Sequence, residues 1–178
     1  MKRLLTAGAA AALLTVLAAG PVGARVTSRG ASLSTTDRTF LEDAAGGARY
    51  EVLAGQRAVD TSPTPEIVQF GRRMVADHSQ EYDDVAAVGR AVGFTVPKEP
   101  DHALQRIVAI FSQLSGARFD CAYGPQEYSD HENDIAHFTD AAQHSRNPKI
   151  RAFALRHLPT LRQHRDMIES DLDAIKTC

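Results

Sequence analysis

Four long stretches of this chain carry apolar residues three and four positions apart, and turns containing proline or glycine separate them. This spacing places the apolar side chains on one face of a helix, and each face can be buried only by packing against the others. The stretches are residues 37–60, 65–92, 117–144 and 148–176. No strand pattern competes with these periods, so the sequence predicts an all-α protein.

The turns predict how the four helices are connected. Residues 61–65 join the first two helices and Asn147-Pro148 joins the last two, and both turns are short enough for tight antiparallel hairpins. Residues 93–116 separate the hairpins, and residues 101–114 predict a shorter amphipathic helix. Two hairpins joined by one long crossover favour a ferritin-like four-helix bundle over residues 37–176. An ordinary up-and-down bundle is the alternative.

The first 24 residues have the pattern of a secretory signal peptide. Lys2 and Arg3 precede an apolar run over residues 4–19, and small residues follow up to Ala24. The run is shorter than the roughly 20 residues of a membrane-spanning helix, so we expect no transmembrane segment after cleavage; a retained anchor is the alternative. The chain is therefore expected to be exported and to be periplasmic, associated with the cell envelope or secreted, with residues 25–36 as a flexible leader.

Charge and motifs exclude several functions. The 20 basic and 22 acidic residues give a net charge of -2, which offers no case for nucleic-acid binding. Neither a nucleophile elbow nor a phosphate-binding loop motif occurs, and no organic cofactor is indicated. Whether the protein is an enzyme stays open, and an unidentified protein partner is compatible with the sequence. After export, Cys121 and Cys178 can either form a disulfide or remain free thiols.

One polar side chain on the apolar face of each long helix suggests a buried site. A buried carboxylate or imidazole costs free energy unless it is paired, hydrogen-bonded or bound to a metal. The four candidate metal ligands are Glu51, His78, His131 and His164. One carboxylate and three imidazoles predict a transition-metal site, with zinc, copper or iron as the ion. A buried hydrogen-bond network of the same residues without metal is the alternative.

The heights of these residues can be counted from the turns, because hairpin partners lie level when they are equally far from the connection. His131 and His164 lie 16 residues before and 16 residues after the Asn147-Pro148 turn, so they should face each other. Glu51 lies 12 residues before Pro63 in the first turn and His78 lies 15 residues after it, a mismatch of about 4.5 Å along the helix. Long side chains can bridge that difference.

Other polar residues are interpreted as supporting or peripheral. Asp77 and Asp130 directly precede candidate ligands and are expected to be solvated or to orient neighbouring side chains, with a supplementary ligand role as the alternative. His157 is expected at the boundary of the core or in a second network. The residues three before the candidate histidines are Val75, Tyr128 and Leu161, so the Glu-x-x-His pattern of carboxylate-bridged di-iron bundles is missing.

Several short segments together resemble a known family. They are Tyr50-Glu51-Val52, residues 73–78, Phe119-Asp120 with Tyr123, Asp130-His131-Glu132, and Phe153-Ala154 followed by residues 158–161 and His164. With them, residues 37–173 resemble the exported bacterial proteins of domain of unknown function 4142, which are labelled predicted outer membrane proteins and grouped with ferritin-like folds. The resemblance implies a ferritin-like bundle in the envelope or secreted, without a settled activity. This chain departs from the family at Gly124 and Glu127, and Gly124-Pro125 is expected to loosen the start of its helix.

Two functional hypotheses follow. The first is an exported ferritin-like protein that binds a transition metal inside the bundle. The second is a non-catalytic envelope or stress-related interaction module without metal, in which the buried polar residues only specify the packing.

Overall fold

The computed structural model describes residues 33–175 and Cys178. Within this part the chain forms five α-helices and one 3₁₀ turn: α1 (Thr35–Thr61), α2 (Pro65–Ala91), α3 (His102–Ser112), α4 (Ala117–His144), α5 (Pro148–Asp171) and the turn Leu172–Ala174. Residues 33–175 contain no β-strand, which confirms the all-α prediction. The predicted signal peptide and most of the predicted leader lie outside the described residues.

The helices begin where local side chains satisfy the free N–H groups of the first turn. The side chain of Ser34 accepts a hydrogen bond from the N–H of Asp37, and α1 starts two residues earlier than predicted. Asp101 caps α3 in the same way. The helices α2 and α5 each have proline in their first turn, where its missing N–H is not needed.

The four long helices pack as two hairpins. The most extensive contacts join α1 to α2 and α4 to α5, and smaller contacts of α2 with α5 and of α1 with α4 hold the hairpins together. At the α1–α2 crossing the backbones are too close for side chains: a Cβ at Gly55 would lie 2.7 Å from the carbonyl oxygen of Gly71, and one at Gly71 would lie 2.6 Å from that of Gly55. These two glycines therefore fix how closely α1 and α2 approach.

The buried apolar side chains form two clusters along the helices. The first includes Phe40, Val85, Phe138 and Phe153, and the second includes Phe70, Phe111, Phe119 and Tyr123. Along α2, α4 and α5 a buried histidine lies between the residues of one cluster and those of the other. A polar layer therefore separates the two apolar parts of the core.

The start of α4 is held by the chain end. A disulfide joins Cys121 to Cys178. The predicted loosening at Gly124-Pro125 does not interrupt the helix, because α4 is continuous across Pro125. The glycine instead makes room for the segment after α5, since a Cβ at Gly124 would lie 2.6 Å from Cδ1 of Ile175. The α-helical part of the last predicted helix ends at Asp171, before the 3₁₀ turn.

None of the helices within the described residues has the length and apolar character needed to cross a membrane.

Candidate metal centre

Three histidines from three helices meet in the polar layer. His78 on α2, His131 on α4 and His164 on α5 are all fully buried or nearly so. One ring nitrogen from each lies within 4.8 Å of the others, and the ring centroids are 5.2 to 5.7 Å apart. We refer to these three residues as the histidine centre.

The hydrogen bonds of His131 and His164 define which ring nitrogens carry protons. Nδ1 of His131 lies 2.9 Å from the carbonyl oxygen of Glu127, and because a carbonyl can only accept, Nδ1 must donate. Nε2 of His164 donates to Oδ2 of Asp77 at 2.8 Å. The remaining nitrogens, Nε2 of His131 and Nδ1 of His164, are 3.3 Å apart. If both rings are neutral, two lone pairs face each other across this distance.

The electrostatic surroundings favour neutral rings and an ionised partner. Burial lowers the pKa of His131 well below its usual value and lowers that of His164 to about 4, and the nearby His78 adds to both shifts. Burial raises the pKa of Asp77, but hydrogen bonds from His164 and Arg73 outweigh it, and the pKa lies below its usual value. At neutral pH the facing nitrogens are therefore both acceptors.

His78 completes the centre with a nitrogen that has no polar partner. Its Nδ1 lies 3.1 Å from Oε2 of Glu81, one helical turn further along α2, although without hydrogen-bond geometry. Its Nε2 is buried and has no hydrogen-bond partner in the described part of the chain. One nitrogen of each ring thus lies beside a carboxylate or carbonyl oxygen. The other nitrogen of each ring receives no hydrogen bond from an oxygen or backbone donor among the described residues.

Two buried glutamates lie beside His131. Glu51 on α1 and Glu127 on α4 are fully buried, and each offers an oxygen within 4.8 Å of a ring nitrogen of His131. The Tyr50 hydroxyl donates to Oε1 of Glu127 at 3.0 Å. Both oxygens of Glu51, Oε2 of Glu127 and the hydroxyl of Tyr123 have no hydrogen-bond partner among the described residues. We refer to Glu51 and Glu127 as the carboxylate pair.

Burial controls the acidity of this pair. It raises the pKa of Glu51 well above its usual value, and the nearby Glu127 raises it further. The pKa of Glu127 is raised to about 7, mainly by burial, and the bond from Tyr50 opposes that shift. Burial also raises the pKa of the half-buried Asp130 and Asp134 on α4. The region between α1 and α4 therefore holds several carboxyl groups that water does not stabilise.

The structure brings together three of the four predicted ligands and places the fourth in the adjacent group. His131 and His164 face each other as the count from the turn predicted. Glu51 lies with Glu127 and His131 rather than with His78 and His164. Asp77 contacts His164, which agrees with the predicted orienting role. Whether any of these residues binds a metal stays a prediction.

The prediction of one polar side chain on each buried face is wrong, because the structure buries more of them. Glu127 and Glu81 were not among the predicted ligands, although Glu127 precedes His131 by four residues and Glu81 follows His78 by three, so both lie on the same helix faces as the histidines. His157 is also buried, and its Nε2 lies 3.1 Å from Oδ2 of Asp84. The remaining histidines, His102, His137 and His144, are exposed.

Fold and site together define an all-helical protein with a buried histidine and carboxylate centre. The family described as "Domain of unknown function (DUF4142)" matches residues 23–170, and the chain belongs to that family. No curated protein and no solved structure is significantly similar to it.

Proposed function

We propose that the protein is an exported, ferritin-like four-helix bundle that binds a transition metal at the histidine centre, formed by His78, His131 and His164. We assign no reaction to it. The observation that carries the proposal is the 3.3 Å approach of Nε2 of His131 and Nδ1 of His164 in a buried layer, where neither nitrogen is the one beside a carboxylate or carbonyl oxygen. Two buried lone pairs repel each other, and a cation between them converts that repulsion into two bonds.

The observed spacing suits a metal. An ion bound tetrahedrally at about 2.0–2.1 Å from each imidazole holds neighbouring nitrogens roughly 3.3–3.4 Å apart. The facing nitrogens of His131 and His164 are 3.3 Å apart. Three imidazoles suit zinc, copper or iron, and such an ion would supply Lewis acidity at a coordination position that the histidines leave open.

The outer contacts of the rings support the same function. Metal-binding histidines usually donate their second N–H to a carboxylate or a carbonyl, which fixes the ring and its tautomer. His164 does so to Asp77, and His131 does so to the carbonyl of Glu127. Glu81 lies in the corresponding position beside His78. The oxygens that would orient three ligands are therefore present.

The proposed bundle and location rest on separate observations. Two hairpins, α1–α2 and α4–α5, are connected by a long segment that contains α3, as expected for a ferritin-like chain with one crossover. The amino-terminal sequence pattern favours export, and the disulfide between Cys121 and Cys178 suits an oxidising compartment. Detection of the mature protein outside the cytoplasm, with its amino terminus near residue 25, would test the location.

Metal content and stability test the binding. Protein purified without a histidine tag should contain at least one transition-metal ion per chain by elemental analysis. Removal of the ion by a chelator should lower the melting temperature, because an ion present at 100 times its dissociation constant stabilises the folded state by about 2.7 kcal/mol. The variant His131→Gln should lose both effects.

The matched control is His137→Gln, which changes an exposed histidine on the same helix. It should keep the metal content and the chelator-dependent melting of the wild type, and circular dichroism should show both variants to be folded. Metal-free wild-type protein that melts at the same temperature after addition of zinc, copper or iron would contradict the proposal. That result would favour the interaction module, in which the buried polar residues only specify the packing.

A further inference from the structure

The carboxylate pair, when both groups are ionised, carries negative charge that its surroundings do not balance. Glu51 and Glu127 are fully buried, and together they leave three of their four oxygens without a hydrogen-bond donor. A buried carboxylate without a donor or a counter-charge is costly, because desolvation of the charge is not repaid. The hydroxyl of Tyr50 satisfies the one remaining oxygen, on Glu127.

The neighbouring groups add to this charge. Asp130 and Asp134 follow Glu127 by three and seven residues, on the same face of α4. Across the helix interface, Oδ2 of Asp134 would lie 3.9 Å from a Cβ at Gly47 of α1, which is an ordinary contact distance. Among residues 33–175, no Lys or Arg forms an ion pair with any of the carboxylates named here. A cation would supply the missing charge.

We propose that Glu51 and Glu127 form a second cation position, lined by oxygen, that takes a hard divalent ion such as Mn²⁺ next to the histidine centre. This inference rests on the proposed function, because it makes the site a two-ion centre with unlike halves. Carboxylate oxygens suit Mg²⁺, Ca²⁺ and Mn²⁺, whereas imidazoles suit zinc, copper and iron. Asp130 and Asp134, on the same helix as Glu127, are half-buried.

The geometry separates this position from the histidine centre. His131 is the one residue common to the two groups. Its Nε2 faces His164, and its Nδ1, which lies 3.9 Å from Oε1 of Glu51, donates to the carbonyl of Glu127. With both nitrogens of His131 engaged, the second position depends on the two carboxylates, and water would complete the coordination as is usual for hard cations.

A proton held between Glu51 and Glu127 is the competing way to neutralise the pair. The two possibilities differ in what the protein binds after the histidine centre has been filled. Metal-free protein is loaded with one equivalent of Zn²⁺ and then titrated with Mn²⁺, and the loss of the free Mn²⁺ signal in electron paramagnetic resonance reports binding. The variants are Glu51→Gln, which keeps the side-chain shape, and Glu42→Gln, which changes an exposed glutamate on the same helix.

The wild type and Glu42→Gln should each bind one Mn²⁺ per chain after loading with Zn²⁺. Glu51→Gln should bind Mn²⁺ at least about tenfold more weakly, because it removes one of the two charged ligands, and its Zn²⁺ affinity should be unchanged. Melting curves of the metal-free proteins show whether Glu51→Gln is folded. If it is not folded, Glu127→Gln, which still offers Tyr50 an acceptor, takes its place in the same titration.

Three results would overturn the inference. Zn²⁺-loaded wild type that takes up no Mn²⁺ would leave the shared proton as the explanation. Equal Mn²⁺ affinity of Glu51→Gln and the wild type would place the ion elsewhere. Loss of Zn²⁺ binding in Glu51→Gln would make Glu51 a ligand of a single centre, and the proposed function would survive. If the wild type binds no zinc, copper or iron at all, the proposed function itself fails.

Discussion

Two histidine–aspartate pairs between α2 and α5 have the same local structure and different surroundings. His164 donates to Asp77 at 2.8 Å, and His157, seven residues earlier on α5, lies 3.1 Å from Asp84, seven residues later on α2. The two aspartate side chains are 25% and 23% exposed. The scaffold therefore repeats one histidine–aspartate contact at two levels, two helical turns apart.

The two levels differ in the side chains that the neighbouring helices place opposite the histidine of α5. The first level contains Glu51, His78, His131 and His164, and the positions seven residues away on the same helices are Ala44, Val85, Phe138 and His157. At this second level the ring of His157 packs at 4.7 Å from that of Phe153, within the apolar cluster. A histidine paired with a carboxylate is thus a packing element on its own, and only opposing imidazoles make it a candidate ligand.

The largest expected effect comes from removing His164, and removal of His157 at the second level is the matched control. His164→Ala should weaken transition-metal binding by at least about 1000-fold, more than the 10- to 100-fold typical of losing an outer contact. His157→Ala should leave the affinity unchanged, because no second imidazole faces it. Isothermal titration of metal-free protein with Zn²⁺ measures both constants. Equal losses in the two variants would remove the distinction between the levels.

Acid pH should lower the stability of the folded protein, because His164 takes up a proton more readily in the unfolded chain. The pKa of His164 is about 4 in the folded protein and near 6.5 when the chain is unfolded, so the unfolded state binds more protons between these values. Above pH 6.5 this linkage costs the folded protein almost nothing. As the pH falls from 6.5 to 4, it lowers the free energy of unfolding by about 3 kcal/mol. Raised carboxyl pKa values, such as that of Glu127, act in the opposite direction.

The contribution of His164 is therefore measured as a difference between two proteins. Urea unfolding of metal-free wild type and of His164→Gln at pH 7 and pH 4 gives the free energies of unfolding. The wild type should lose about 3 kcal/mol more than the variant over this interval. The same pH dependence in both proteins would mean that His164 is not held neutral by its burial.

The smallest effect should come from the aspartates, which are not among the proposed metal ligands. Asp77→Asn should lower Zn²⁺ affinity by about 10- to 100-fold, because the amide orients the ring of His164 less firmly than the carboxylate does. Asp84→Asn is the matched control with nearly equal exposure, and it should leave the affinity within about twofold of the wild type. Competition with a chelator of known affinity measures the constants. An unchanged affinity in Asp77→Asn would show that the carboxylate does not tune the centre.

The sequence predicts the helices and one part of the site well, for physical reasons. Apolar spacing determines which residues must be buried, and a tight turn sets the height of each residue within its hairpin, so His131 and His164 could be matched by counting. No turn length determines the relative heights of residues that belong to different hairpins. The approach of α1 to α4 brings Glu51 beside Glu127, and the length of the first turn carries no information about that contact.

The close contact of Gly55 with Gly71 has a consequence for the polar layer of the core. Glu51 lies one turn before the first glycine, and His78 lies two turns after the second. A methyl group at either glycine would wedge the two backbones apart and carry an oxygen donor and a nitrogen donor away from each other. The absence of a side chain at these two positions thus helps to set the distance between the donor atoms of the polar layer, and with it the size of ion that the proposed site would take.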